Sequence, residues 1–269
     1  MHRKIAAFTG MFVLLTWLPL SGAEPDHVPL ESVSIAAESP LIQTADEPPV
    51  SEPEASTEAV GAAEDAVPDT LHWIDVPLIS QLPELYNGCE ITSLAMLLAY
   101  LQQPIDKLDL ASMLPKDETS PEFDEDGNIA VWGDPDIGFV GDIYGNELGY
   151  AVYVKPLAHL LEQVYTPGSL DLTGLDFSEI ERAVTDGKPV VIWNIASFEQ
   201  SDAWTTWKTP EGKEVSATFQ EHCVLLVGFD EESVYVNNPF ENIQAQKVPK
   251  SSFIVAWEQM GRMALTYQS

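Results

Sequence analysis

Two residues of this sequence can carry nucleophilic chemistry together, although they lie far apart in the chain. Cys89 begins a helical apolar pattern of Ile91, Leu94, Ala95, Leu98 and Leu101. A helix N-terminus favours a thiolate through its free amides and dipole, so we expect a lowered pKa for the Cys89 thiol. His222 opens an apolar strand, and a neutral imidazole can accept a thiol proton. This pair predicts Cys89 as a nucleophile and His222 as its base, although a lone cysteine is more commonly a small buried hydrophobe.

Two amide side chains complete the candidate site. Asn237 and Asn238 end the next strand, before Pro239, and either could hold the second ring nitrogen of His222. Gln81 lies eight residues before Cys89 and could join the backbone N–H of Cys89 in binding an oxyanion. A cysteine early on a helix, followed about 130 to 150 residues later by His and Asn, is the order described for papain-like peptidases.

Five longer runs carry a resemblance to a known family. They are QLPELYNGCEITSL from 81, WGDPDIGFVG from 132, WTTW from 204, EHCVLLVG from 221 and VNNP from 236. They resemble the stand-alone C39-like peptidases, secreted relatives of the domains that trim bacteriocin leader peptides. The resemblance implies a papain-like fold, Cys89 as nucleophile, His222 as base, Asn238 as the residue that orients it, and Gln81 as oxyanion donor. Asn238 replaces the Asp usual in that family, and Cys223 replaces a small residue.

Aromatic residues and one acidic residue are the candidates for substrate binding. Glu90 could cap the first helix or bind substrate. The aromatic candidates for a groove are Trp132, Phe139, Trp204 and Trp207, although such residues are also ordinary core.

The remaining patterns predict an α+β fold, with a helix carrying the cysteine packed on an antiparallel sheet carrying the His and Asn. Predicted helices span 89–101, 107–114, 156–165, 177–186 and a final segment ending at 260. Predicted strands span 73–79, 189–195, 222–229 and 233–236, and 115–149 is predicted to be a long loop.

Composition excludes some functions and divides the chain. The net charge of −31, with only 12 Lys and Arg, argues against nucleic-acid binding. The Cys, His and Asp spacings predict neither a zinc site nor any cofactor. Residues 1–23 resemble a signal peptide cleaved near Ala23, and 24–70 form an acidic Pro-, Glu- and Ala-rich linker predicted to be disordered. The peptidase-like domain is therefore expected at 71–269.

These observations predict a secreted or cell-envelope cysteine peptidase that acts on a peptide or protein through a thioester on Cys89. We expect a monomer without stable membrane insertion after signal cleavage, and without a disulfide between Cys89 and Cys223. Two alternatives stay open: a cell-wall amidase or acyltransferase using the same Cys and His, and a binding module on a degenerate peptidase scaffold.

Overall fold

The structure is a computed structural model that describes residues 71–269. The predicted signal peptide and linker lie outside the described residues. Five helices are present in the described part of the chain: α1 Cys89–Tyr100, α2 Lys107–Met113, α3 Val154–Val164, α4 Phe177–Thr185 and α5 Lys250–Gln259.

The strands are more numerous than the sequence predicts. They are β1 His72–Trp73, β2 Lys116–Asp117, β3 Glu122–Phe123, β4 Ile129–Val131, β5 Phe139–Val140, β6 Ser169–Asp171, β7 Val190–Ile195, β8 Thr205–Lys208, β9 Glu214–Ala217, β10 Glu221–Phe229, β11 Ser233–Asn238, β12 Ile243–Pro249 and β13 Ala264–Tyr267. The predicted long loop at 115–149 is wrong in part, because it contains β2 to β5.

The main sheet is antiparallel and carries the residues that matter most for chemistry. Its strand order is β12, β11, β10, β7, β13, β6, and β1 also pairs with β10. The central strand β10 is buried along most of its length because its run of Val and Leu packs against neighbours on both sides. This confirms the predicted α+β class and the antiparallel sheet.

Helix α1 is positioned by its apolar side chains, which pack against β10 and β7. All its residues from Cys89 to Leu98 are buried, so the helix is a core element with its N-terminus at one end of the sheet. Helix α2 begins after Asp106, whose side chain accepts a hydrogen bond from Leu108 N, as a helix cap should.

A smaller sheet lies apart from the main one and contributes a second apolar cluster. Its strand order is β3, β4, β8, β9. Trp132 and Trp207 lie at the centre of this cluster with their ring centroids 5.4 Å apart. None of the helices between residues 71 and 269 is long and apolar enough to cross a membrane.

Candidate active site

Cys89 is the first residue of α1, is 6 % exposed, and lines a cavity of about 230 Å³. Gly88 precedes it because space is lacking there: a Cβ on Gly88 would lie 2.7 Å from the Cβ of Leu85. The residues that line the cavity are distant from one another in the sequence. They are Gln81, Tyr86, Asn87, Cys89, Gly149, Tyr150, Ala196, Phe219, Glu221, His222, Asn238, Phe240 and Glu241. The four predicted catalytic side chains are therefore all at one cavity.

His222 and Asn238 are brought together by the pairing of β10 with β11. His222 Nε2 and Asn238 Oδ1 are 2.9 Å apart. Two backbone groups, Phe240 N and Glu241 N, donate to the same Oδ1, each at 3.2 Å. This oxygen is therefore an acceptor, and His222 Nε2 must carry the hydrogen of the neutral ring.

The second ring nitrogen of His222 is left unprotonated by this arrangement. Burial lowers the pKa of His222 to about 4, although the hydrogen bond that His222 donates to Asn238 acts in the opposite direction. At neutral pH the imidazole is neutral, with a lone pair on Nδ1. A ring in this tautomer can accept a proton at Nδ1.

The Cys89 thiol contacts carboxyl groups in this structure. Sγ lies 3.5 Å from Glu90 Oε2 and 4.0 Å from Glu221 Oε2. Among the hydrogen bonds of the described residues, none joins Cys89 Sγ to His222. Burial, then Glu221, then Glu90 raise the pKa of the Cys89 thiol well above its usual value. The expected lowering by the helix N-terminus is wrong for this state, because desolvation and two nearby carboxyl groups outweigh the helix dipole.

Glu90 has neither of the roles expected from the sequence. Helix α1 has no side-chain cap, and Glu90 is fully buried away from the cavity wall. Its Oε1 accepts a hydrogen bond of 2.8 Å from Val152 N, close to Gly149 and Tyr150 of the cavity wall. Burial raises the pKa of Glu90 to about 7. Glu90 thus joins the start of α1 to the segment before α3.

Glu221 is a site residue that sequence reasoning missed. It lines the cavity directly before His222 on β10, and burial, with a further contribution from Glu90, raises its pKa well above the usual value. Its Oε1 is buried and has no hydrogen-bond partner. The available signal was a charged residue at the start of an otherwise apolar strand beside the candidate base.

Gln81 lies at the cavity with both amide hydrogens engaged. Nε2 donates to Leu85 O at 3.1 Å and to Tyr86 O at 2.8 Å. Because both acceptors are carbonyl oxygens, the opposite orientation of the amide would place oxygen against oxygen. Gln81 can therefore donate to an oxyanion only after releasing one of these bonds.

The aromatic candidates for a substrate groove lie elsewhere. Trp132, Phe139 and Trp207 are at most 1 % exposed and belong to the apolar clusters. Trp204 is 37 % exposed, but it does not line the cavity. The groove predicted from these four residues is therefore wrong for the cavity that contains Cys89. Trp132 and Trp207 form the core of the small sheet, and Phe139 belongs to the main apolar core. The aromatic residues that line the cavity are Tyr86, Tyr150, Phe219 and Phe240.

Cys89 and Cys223 are both buried and unpaired in this structure, and the absence of a disulfide between them in the exported protein stays a prediction. The donor atoms of Cys89, Glu90 and Glu221 lie within 4.8 Å of one another, which makes them the candidate group for a metal ion in the described chain. Such an ion would require deprotonated ligands, and burial opposes the loss of all three protons.

Comparisons with known proteins agree with this architecture. The chain is 38 % identical over 197 residues to the uncharacterized protein YvpB of Bacillus subtilis (strain 168), covering 72 % of this chain and 75 % of YvpB. It also matches the crystal structure of a candidate C39-like peptidase from Bacillus anthracis, with 42 % identity and a TM-score of 0.67 over 75 % of this chain and 98 % of that one. Residues 73–265 match the Peptidase_C39 like family. The protein therefore belongs to the Peptidase_C39 like family, with a fold shared by C39-like peptidases.

Proposed function

We propose that this protein is a cysteine peptidase that hydrolyses a peptide bond through a thioester on Cys89, with His222 as general base. The observation that carries the proposal is the tautomer of His222. The bond from Nε2 to Asn238 Oδ1 leaves Nδ1 with its lone pair, and His222 lines the cavity that Cys89 also lines. A nucleophile, a base and a group that orients the base are the three parts that covalent catalysis requires.

The first chemical step starts from neutral groups. Because the pKa of the thiol is raised and that of the imidazole is about 4, a thiolate–imidazolium pair is disfavoured before substrate binds. His222 Nδ1 accepts the thiol proton as Sγ attacks the carbonyl carbon. The imidazolium then gives this proton to the leaving amine, and a thioester remains on Cys89.

The second step consumes water and restores the enzyme. His222 Nδ1 takes a proton from a water molecule, whose oxygen attacks the thioester carbon. The C–S bond breaks, a carboxylic acid leaves, and the thiol regains its proton from His222. Asn238 keeps the ring in one orientation through both steps, while its own position is fixed by bonds to Phe240 N, Glu241 N and Gln246 Oε1.

The oxyanion formed in each step needs donors that already point to it. The backbone N–H of Cys89 lies in the first turn of α1, where amides have no acceptor within the helix. Gln81 would add a second donor if one bond to Leu85 or Tyr86 is released when substrate binds.

Incubation with a mixture of synthetic peptides in ¹⁸O-water tests the proposal. Hydrolysis through Cys89 predicts new carboxyl termini that carry ¹⁸O, and their loss in Cys89→Ser. Products joined to an added amine without ¹⁸O would instead support acyl transfer. Absence of cleavage, together with a Cys89 thiol that iodoacetamide does not alkylate at any pH from 6 to 10, would support a binding module on a degenerate scaffold.

The place of action is also a proposal. The basic start and apolar run of residues 1–23 support export by a signal peptide, and the peptide or protein substrate would then lie outside the cell or in its envelope. Comparison of the mature N-terminus with Ala23, by mass spectrometry of protein recovered from the medium, checks this expectation.

A further inference from the structure

Two carboxyl groups line the cavity without a balancing cation. Glu221 and Glu241 line it, whereas no Lys or Arg does, and neither glutamate forms an ion pair within the described part of the chain. A cleft lined by one sign of charge attracts ligands of the opposite sign. The substrate is therefore expected to bring a positive group into this cavity.

Of the two carboxyl groups that line the cavity, that of Glu221 is the one in contact with Cys89. Its Oε2 lies 4.0 Å from Cys89 Sγ, and its Oε1 is buried without a partner. An unsatisfied buried acceptor is costly unless a ligand supplies the missing donor. A substrate ammonium group next to the scissile bond would supply it. Its positive charge would also favour the ionised form of Glu221, whose pKa burial raises in the empty cavity.

The distance from the nucleophile restricts which ammonium group can do so. The reacting carbonyl carbon approaches Sγ to about 3 to 3.5 Å before attack. An α-amine on the same residue lies about 2.5 Å from that carbon by standard backbone dimensions. A lysine side chain places its nitrogen six bonds away, beyond the immediate surroundings of Sγ. The free α-amine of an amino-terminal residue fits the position of Glu221 best.

We propose that Glu221 receives the α-ammonium group of the substrate, so that the enzyme removes the first residue of peptides with a free amino terminus. This inference rests on the proposed peptidase function and specifies its substrate class. The exposed aromatic rings of Tyr86 and Phe219, which line the same cavity, suit a first residue with an apolar side chain.

Three peptides and two variants test this assignment at pH 7. The peptides are Phe-Ala-Ala-Ala-Ala with a free amine, the same peptide acetylated at its α-amine, and its acetylated version with Lys in place of Phe. Mass spectrometry of the products gives kcat/KM and the position of cleavage. Glu221→Gln keeps the size of the side chain and removes its charge, and Glu241→Gln removes a charge from the same cavity as the matched control.

The proposal expects the free-amine peptide to lose its first residue with a kcat/KM about ten-fold or more above that of its acetylated form, since charge-assisted bonds are the stronger ones. This ratio should fall to about one in Glu221→Gln, where the ion pair is lost, and stay high in Glu241→Gln. Both forms share one nucleophile, so the ratio is insensitive to any change in thiol reactivity.

The opposing results are distinct from one another. Equal cleavage of free and acetylated peptides, or internal cleavage of both, would overturn the role of Glu221 while leaving the peptidase function intact. A preference for the acetylated Lys peptide would indicate that Glu221 binds a cationic side chain of the substrate and not its α-ammonium group. No cleavage of any peptide, with Cys89 still open to alkylation, would contradict the peptidase function itself.

Discussion

The two sides of the cavity hold their functional groups in opposite ways. On the β10–β11 side, His222 is fixed by Asn238, and Asn238 is fixed in turn by two backbone amides and Gln246. On the α1 side, burial and two neighbouring carboxyl groups raise the pKa of the Cys89 thiol. In the proposed mechanism, the base is therefore ready to act while the nucleophile is held in its neutral form, and removal of the thiol proton would make up much of the barrier.

Replacement of the nucleophile should have the largest effect. Cys89→Ser keeps the shape of a nearly buried side chain but supplies a hydroxyl of much higher pKa, so we expect peptide hydrolysis to fall by about a thousand-fold or more. The measurement is kcat with a cleavable peptide, with the unfolding transition in urea as the control for folding. Retention of a tenth of the activity would mean that another group carries the reaction.

Changes at Asn238 test the β10–β11 side of the cavity, where His222 is held in place. Asn238→Ala removes the acceptor of His222 Nε2 and should lower kcat by about a hundred-fold, because the ring loses its preferred tautomer.

Asn238→Asp keeps the acceptor and adds a negative charge that favours imidazolium, so the pKa of His222 should rise from about 4. Since the base must be neutral, the acidic limb of the pH profile of kcat should move to higher pH. If the acidic limb of the pH profile does not move in Asn238→Asp, Asn238 does not influence the pKa of the catalytic base.

Glu90→Gln tests the thiol side through stability. The folded pKa of Glu90 is raised from 4.5 to about 7, so the folded protein retains a proton that the unfolded chain loses between these pH values. Stability of the wild type should therefore fall as pH rises through this window, and the variant should lack this loss.

The free energy of unfolding, measured in urea at pH 4.5 and pH 8, checks this prediction. Relative to wild type, Glu90→Gln should gain about 2 to 3 kcal/mol of stability between the two values. Glu147→Gln, a change at an exposed carboxyl group, is the control and should show no such gain. The same result for both variants would contradict the buried, protonated state of Glu90.

Patterns along the chain were sufficient for the elements that carry the Cys–His pair. The 3.6-residue period after Gly88 predicts α1, and the Val- and Leu-rich runs predict β10 and β11. The strands β8 and β9 were missed because each has only four residues, with at most two apolar side chains and no continuous apolar run.

The charged part of the site was not predictable from local sequence. The contact of Glu221 with the Cys89 thiol arises only when α1 packs beside β10, 132 residues away. Glu90 follows Cys89 directly, but its partner Val152 lies 62 residues away. The four aromatic residues predicted to line a substrate groove lie outside the cavity for a related reason. The sequence shows that a tryptophan is present, but the tertiary fold decides whether it lies in a core or in a groove.

The smallest expected effect compares two buried tryptophans of the second cluster. Trp207 Nε1 donates to Gly133 O at 2.8 Å, whereas Trp132 Nε1 has no partner. Trp207→Phe should therefore destabilise the protein by about 1 to 2 kcal/mol more than Trp132→Phe, because only the first leaves a carbonyl unsatisfied. Urea unfolding measures the difference. A rise in KM for either variant would indicate that the replaced tryptophan contributes to substrate binding.

The most direct test of the account is the pH dependence of Cys89 alkylation by iodoacetamide in the wild type and in His222→Ala. The account predicts a wild-type rate that rises with an apparent pKa above the usual thiol value of about 8.5. At pH 7 it also predicts a lower rate in His222→Ala, where no imidazole accepts the proton during attack. A wild-type rate that stays level below pH 6 would reveal a preformed thiolate, and equal rates in the two proteins would remove His222 from the reaction.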